Sequence, residues 1–293
     1  MKPPVGSLRF RGPEVPEKWT EPLDVTETAR HFPSLDFISQ QVHGTVNGGV
    51  VSVSTPYFER KLPVAVYIQG GGFQMASSVD VAYGPDYLLQ KDIVYVALNY
   101  RVGPMGFLSL KDPSLAVPGN AGLKDQLLAL KWVKNNIAQF GGDPDNITIF
   151  GTSAGGVSVH FHMISEQSKG LFHRAMPMSG TASIKTWPII DKKDLTERLA
   201  KALGWDGTGG EKEILRVLES ADIERLVIEE GKLLTKEEIY KGHIMFPFTP
   251  VVEPYVTATT FVPKDPILMA QDAWSNDIDS MIGGTSLEGV LMF

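Results

Sequence analysis

Three short runs of apolar and β-branched residues divide the first half of the chain: Val64 to Ile68, Ile93 to Leu98, and Ile147 to Phe150. The first two are unbroken by polar residues, which predicts strands buried on both faces, as in a parallel sheet, and the third, β-branched and aromatic, predicts a further strand. A fourth run, 50–56, does alternate and stops at Pro56, so it predicts a half-buried strand. Between the first two runs lies about one helix length, including 83–91, which suggests a strand, crossover and parallel strand. Residues 123–140 carry the cleanest helical period: Leu127, Leu130, Val133, Ile137 and Phe140 share one face, and Lys124, Lys131, Lys134 and Asn135 fall elsewhere on the wheel. The order β-α-β-α-β predicts an α/β layered fold. Residues 1–45 show no sustained period and predict an extended segment with one short strand at Leu8, Arg9 and Phe10. Residues 185–245 change character, with helical periods over 194–203, 211–220 and 222–232, as a helical insertion would. Residues 280–284 predict a last short strand, with 285–289 as the loop at its end.

In open α/β sheets the reactive residues sit at the C-terminal ends of strands. Three candidates fall there. Ser153 follows the run ending at Phe150 and is flanked by Gly151, Gly155 and Gly156, so it reads as a strand, a sharp turn and a helix. Such a turn strains the serine backbone and needs small neighbours. Gly70, Gly71 and Gly72 follow the first run and allow a ligand close to the backbone, and Glu288 follows the last. A serine hydroxyl needs a base to become a nucleophile, and the base, usually His, needs a carboxylate to orient it. The developing oxyanion needs fixed donors, which the N–H groups of Gly71, Gly72 and Ala154 would supply.

Composition narrows the possibilities. The 293 residues are 43% apolar with a formal charge of −7 and no basic stripe, which argues against nucleic acid as a partner. No run approaches the length of a membrane span. The absence of Cys excludes disulfides and thiolate metal sites. Together with an N-terminus lacking an apolar stretch, it favours the cytoplasm over secretion.

These residues resemble the type-B carboxylesterases, the cholinesterase-like α/β hydrolases, and the insect α-esterases among them. The matching stretches are 3–10, 70–73, Asn99 with Tyr100 and Arg101 through 107, 119–126, 140–156, 178–180, and Glu288 with Gly289. The resemblance implies an α/β-hydrolase fold, a mostly parallel central sheet flanked by helices, with its C-terminal part absent, so that residues 1–293 form one incomplete domain. It implies Ser153 as nucleophile, Glu288 as triad acid, Gly71, Gly72 and Ala154 as oxyanion hole, and Trp187 as a wall of the substrate site. It implies a small-molecule ester as substrate and no metal or organic cofactor.

Two departures qualify the resemblance. Gln69 stands where the family usually has His before the glycines. In this fold the triad histidine follows the acid, yet only five residues follow Glu288 and none is His. All six histidines, His31, His43, His160, His162, His173 and His243, precede it; the first five read as structural or as surface, and His243 is the only one that could fold over the site. Two expectations stand side by side: a serine carboxylesterase whose triad His lies outside this chain, or a catalytically impaired protein that binds esters or organophosphates or acts as an interaction module.

Overall fold

The computed structural model describes residues 1–21, 32–35, 42–43, 51–75, 83–183, 193–240 and 245–288. Two short strands, β1 (Ser34–Leu35) and β2 (Val42–His43), pair with each other. Six others form the central sheet: β3 (Val51–Ser54), β4 (Leu62–Ile68), β5 (Val94–Leu98), β6 (Gly142–Thr152), β7 (Arg174–Met178) and β8 (Asp279–Ser280). Their spatial order is β3-β5-β4-β6-β7-β8. The β3 strand is antiparallel to β5, and every other pair is parallel.

The alternation along each strand decides which side is core. Val64, Val66, Ile68, Val94, Val96, Leu98, Ile147 and Ile149 are buried against two helices, α2 (Ala121–Asn136) and α3 (Ala154–Ile164). Tyr67, Tyr95 and Ala97 point the other way into a smaller cluster with Leu89 and Phe150. A five-residue helix, α1 (Gly103–Phe107), precedes α2 and is buried throughout.

Several expectations need correction. Leu8, Arg9 and Phe10 form no strand, because Gly6–Leu8 is a 3-10 turn and the segment is held by side chains instead: Arg101 Nη1 donates to the carbonyls of Leu8, Arg9 and Arg11. The crossover before β5 contains only the 3-10 turn Leu89–Lys91 among its described residues. The predicted helix over 123–140 ends at Asn136 and continues as a 3-10 turn, Ile137–Phe140. Lys124 lies off the apolar face of α2 and is nonetheless buried, where its Nζ donates to Glu253 Oε2 at 2.7 Å. Beside it Arg101 and Asp125 form a second buried pair at 2.7 Å. Removing one partner from such a pair leaves an uncompensated charge, so the two pairs constrain geometry more than they add stability.

Four helices, α4 (Lys193–Ala202), α5 (Gly210–Ser220), α6 (Ile223–Glu230) and α7 (Lys236–Tyr240), lie where the helical insertion is expected. A last helix, α8 (Pro266–Gln271), precedes β8. Among the described residues no helix is long and apolar enough to cross a membrane.

Candidate active site

Ser153 joins β6 to α3 with φ +60° and ψ −124°, outside the regions a serine ordinarily occupies. The surrounding packing enforces this conformation. A Cβ on Gly151 would overlap the Ile68 carbonyl oxygen, and a Cβ on Gly155 would overlap the same atom. One on Gly156 would lie 2.5 Å from the Met178 carbonyl oxygen. Strand β6 and helix α3 therefore press directly on β4 and β7 at backbone distance. The Ser153 N–H donates to the Met178 carbonyl at 2.9 Å, which ties the turn to β7. The first residues of α3 include two glycines and two valines, poor helix formers, so the helix owes its stability to burial of nearly its whole length.

The glycine loop lies beside this turn. A Cβ on Gly70 would stand 2.6 Å from the Thr152 carbonyl oxygen and 3.4 Å from the Ser153 Cβ. Gly71 (φ +98°), Gly72 (φ +64°) and Phe73 (φ +61°) follow in left-handed conformations. The loop is closed by N–H groups of Gln74 and Met75 on the Gly71 carbonyl, both at 2.9 Å. Ala154 opens α3 and is fully buried. The side chain of Gln69 is buried, and neither its Nε2 nor its Oε1 has a hydrogen-bond partner.

Glu288 reaches the same end of the sheet from the far side. Its Oε1 accepts from the Ser179 hydroxyl at 2.5 Å and from the Thr285 N–H at 2.7 Å. These two donors, the hydroxyl foremost, lower its pKa from the ordinary glutamate value. Ser179 itself sits just beyond β7 at φ +52°, and its N–H donates to the Gly283 carbonyl at 2.8 Å. Ser179 thus connects β7 to the acid loop. Its family motif was visible in the sequence, but its role as the donor to Glu288 was not.

The described histidines are engaged elsewhere. His160 Nδ1 accepts from the Ala182 N–H at 3.0 Å. His162 is fully buried, with Nδ1 at 2.7 Å from the Ser168 hydroxyl and Nε2 at 3.0 Å from Gln126 Oε1, and desolvation pushes its pKa down to about 3. His173 Nδ1 accepts from the Ile147 N–H at 3.1 Å. His31, His243 and Trp187 lie outside the described residues, as does the His43 side chain. Among the described residues no three of His, Cys, Asp and Glu come together in a way that could hold a metal ion.

One further side chain reaches the glycine loop. A Cβ on Gly72 would meet three ring atoms of Phe246 at 2.5 to 2.8 Å, so the ring lies directly against this glycine, and its half-burial leaves an apolar surface beside the candidate oxyanion donors. Nothing in the local pattern around Phe246 marks it, because the contact joins positions far apart in the chain.

A mostly parallel sheet with a serine at a strained strand-to-helix turn is the architecture of an α/β hydrolase. The sequence model described as Carboxylesterase family matches residues 1–293, and the chain belongs to that family. It is 47% identical over 296 residues to Esterase B1 of Culex pipiens, covering 99% of this chain and 54% of that protein. It is 37% identical to a juvenile hormone esterase of Tribolium castaneum, covering 99% of this chain and 50% of the relative. Among solved structures, a PNB esterase superposes with TM-score 0.85 at 33% identity, over 100% of this chain and 59% of that one. The juvenile hormone esterase of Manduca sexta with OTFP covalently attached superposes with TM-score 0.79 at 33% identity, over 92% of this chain and 51% of that one. The chain spans about half the length of the curated relatives it matches.

Proposed function

We propose that this chain carries the nucleophile half of a serine carboxylesterase. Ser153 Oγ attacks the carbonyl carbon of a carboxylic ester, and the carbonyl oxygen becomes an oxyanion held by the N–H groups of Gly71, Gly72 and Ala154. Collapse of the tetrahedral intermediate breaks the bond to the alcohol and leaves an acyl group on Ser153, which water then removes. Glu288 orients the imidazole that takes the Ser153 proton and returns it to the leaving alcohol. That imidazole belongs to the part of the family fold this chain does not span. The observation that carries the reading is the left-handed backbone of Ser153 packed against the Gly70 to Gly72 loop, in a chain matched along its whole length to the carboxylesterase family.

A specific observation favours a second reading alongside it. The Nδ1 atoms of His160, His162 and His173 meet Ala182, Ser168 and Ile147 rather than Glu288, so among the described residues no imidazole is paired with the candidate acid, which favours a chain that binds esters and organophosphates but turns them over poorly. Removing one triad member still leaves about 10³ to 10⁴ of acceleration from the oxyanion hole and binding. The test is the hydrolysis of a short-chain nitrophenyl ester together with the intact mass after exposure to a fluorophosphonate. A single adduct abolished by Ser153→Ala, with turnover far below that of a complete family member, fits both readings. Wild-type turnover that survives Ser153→Ala rejects Ser153 as nucleophile. Full turnover lost in Ser153→Ala rejects the second reading, because a base is then present in this chain.

A further inference from the structure

The glycine loop and the segment carrying Phe246 are far apart in sequence but are joined by one side chain. Gln74 Nε2 donates to the Phe248 carbonyl at 2.7 Å. Gln74 closes the loop formed by Gly71 and Gly72, and Phe248 lies two residues beyond the ring that rests on Gly72. The far end of that segment is anchored independently. The Asn120 side chain donates to the Val251 carbonyl at 2.7 Å and accepts from the Val251 N–H at 2.9 Å. Glu253 accepts from Lys124 Nζ at 2.7 Å and from the Phe261 N–H at 2.7 Å. From Val251 onward the segment is therefore fixed to α2, and toward Phe246 the buried Phe248 side chain and the bond from Gln74 hold it.

We infer that Gln74 is a positioning residue: its carboxamide locks the Phe246 wall onto the candidate oxyanion loop, so that the donor geometry and the space for the acyl group are set together. This rests on the reading of Gly71 and Gly72 as oxyanion donors. The loop needs such support, because three consecutive left-handed residues, one of them Phe73, hold their conformation only where neighbours over-determine it. The Gly103 N–H on the Phe73 carbonyl at 2.6 Å secures the loop toward α1, and Gln74 secures it toward Phe246. A shift of the ring away from Gly72 enlarges the site on the acyl side and lets the loop relax, so small and large acyl groups respond differently to the loss of Gln74.

The test uses the full chain with Gln74→Met, which keeps the volume and removes the donor, and Gln74→Glu, which keeps the shape and sets a carboxylate against the Phe248 carbonyl. Hydrogen exchange reads the link without catalysis, and two fluorophosphonates, with a methyl and an octyl group on phosphorus, read its consequence. In that reaction Ser153 Oγ bonds to phosphorus, fluoride leaves, and the serine proton goes to solvent. Expected in both variants are faster exchange of the amides of 71–75 and 245–250 together, and a melting temperature near that of the parent. Labelling by the methyl probe slows about tenfold, as for the loss of one hydrogen bond, and labelling by the octyl probe slows less. A merely structural Gln74 would slow both probes equally, and that result overturns the inference, as does unchanged exchange at 245–250. If the parent chain is labelled by neither probe, the proposed function fails, and the exchange result alone decides whether Gln74 links the two segments.

Discussion

The Ser153 turn and the Glu288 loop stand at the same end of one sheet but are built in opposite ways. The turn is enforced by backbone pressed on backbone: β6 and α3 meet β4 and β7 so closely that Gly151, Gly155 and Gly156 have no room for a methyl group. The Glu288 loop hangs from the two-residue edge strand β8, where Met281, Ile282 and Leu287 are exposed and the acid is held by two hydrogen bonds. The candidate nucleophile position is therefore a consequence of the fold, and the candidate acid position rests on local hydrogen bonds at an exposed edge. The chain spans about half the length of the curated relatives it matches, and β8 forms one edge of its sheet.

The sharpest way to break this contrast is to add one methyl group at each place. Gly155→Ala forces a Cβ into the Ile68 and Gln69 backbone, which no rotamer change relieves, and it is expected to cost about 3 kcal/mol or more in urea denaturation. A loss under about 0.5 kcal/mol would mean the turn is not packed as described.

The next effect is on pH. His162, in the last turn of α3, is neutral in the fold with a pKa of about 3 against 6.5 unfolded. The unfolded chain thus binds a proton that the folded chain does not. Stability falls as pH drops from 6.5 toward 3, by about 1.4 kcal/mol per pH unit once well inside that window. In His162→Gln, which keeps a hydrogen-bonding amide, the His162 contribution disappears and the slope falls to what His160 and His173, also lowered by desolvation, supply. Urea midpoints at pH 7, 6 and 5 read it, and a parent slope equal to that of the variant would remove His162 as its source.

Smaller still is the effect at the acid. The folded pKa of Glu288 is depressed, so its contribution to stability is present above the ordinary glutamate value and is lost as pH falls through the folded pKa. Ser179→Ala removes the larger of the two donors, and the Glu288 carboxyl then titrates higher, toward an ordinary glutamate, in a carbon-detected NMR titration. An unmoved titration would show that the Thr285 N–H alone holds the acid. Least of all is expected from Gly283→Ala: a Cβ there meets nothing within 4 Å, and the urea midpoint stays within about 0.5 kcal/mol of the parent. A large loss at Gly283 would make the acid loop as tightly built as the Ser153 turn and would end the contrast.

Much of the central architecture was legible from residue pattern. The buried runs became β4, β5 and β6, the alternating run became β3, and Ser153 fell between β6 and α3 because small residues and a β-branched strand specify that turn locally. The signal failed where side chains took over from period. Leu8 to Phe10 has the composition of a strand, yet Arg101 captures its carbonyls. Lys124 sits on the polar side of a helical wheel, yet Glu253 gives it a buried partner.

The sequence by itself determined β3 to β6 and the residue types at the Ser153 turn and the glycine loop, since each is encoded by a few neighbouring positions. Only the tertiary structure decided that Ser179 holds Glu288, that Lys124 meets Glu253, and that Gln74 reaches Phe248. Those pairs are 109, 129 and 174 residues apart. No local pattern encodes a hydrogen bond at such separations, because the partner exists only after the sheet has ordered its strands and brought distant loops to one edge.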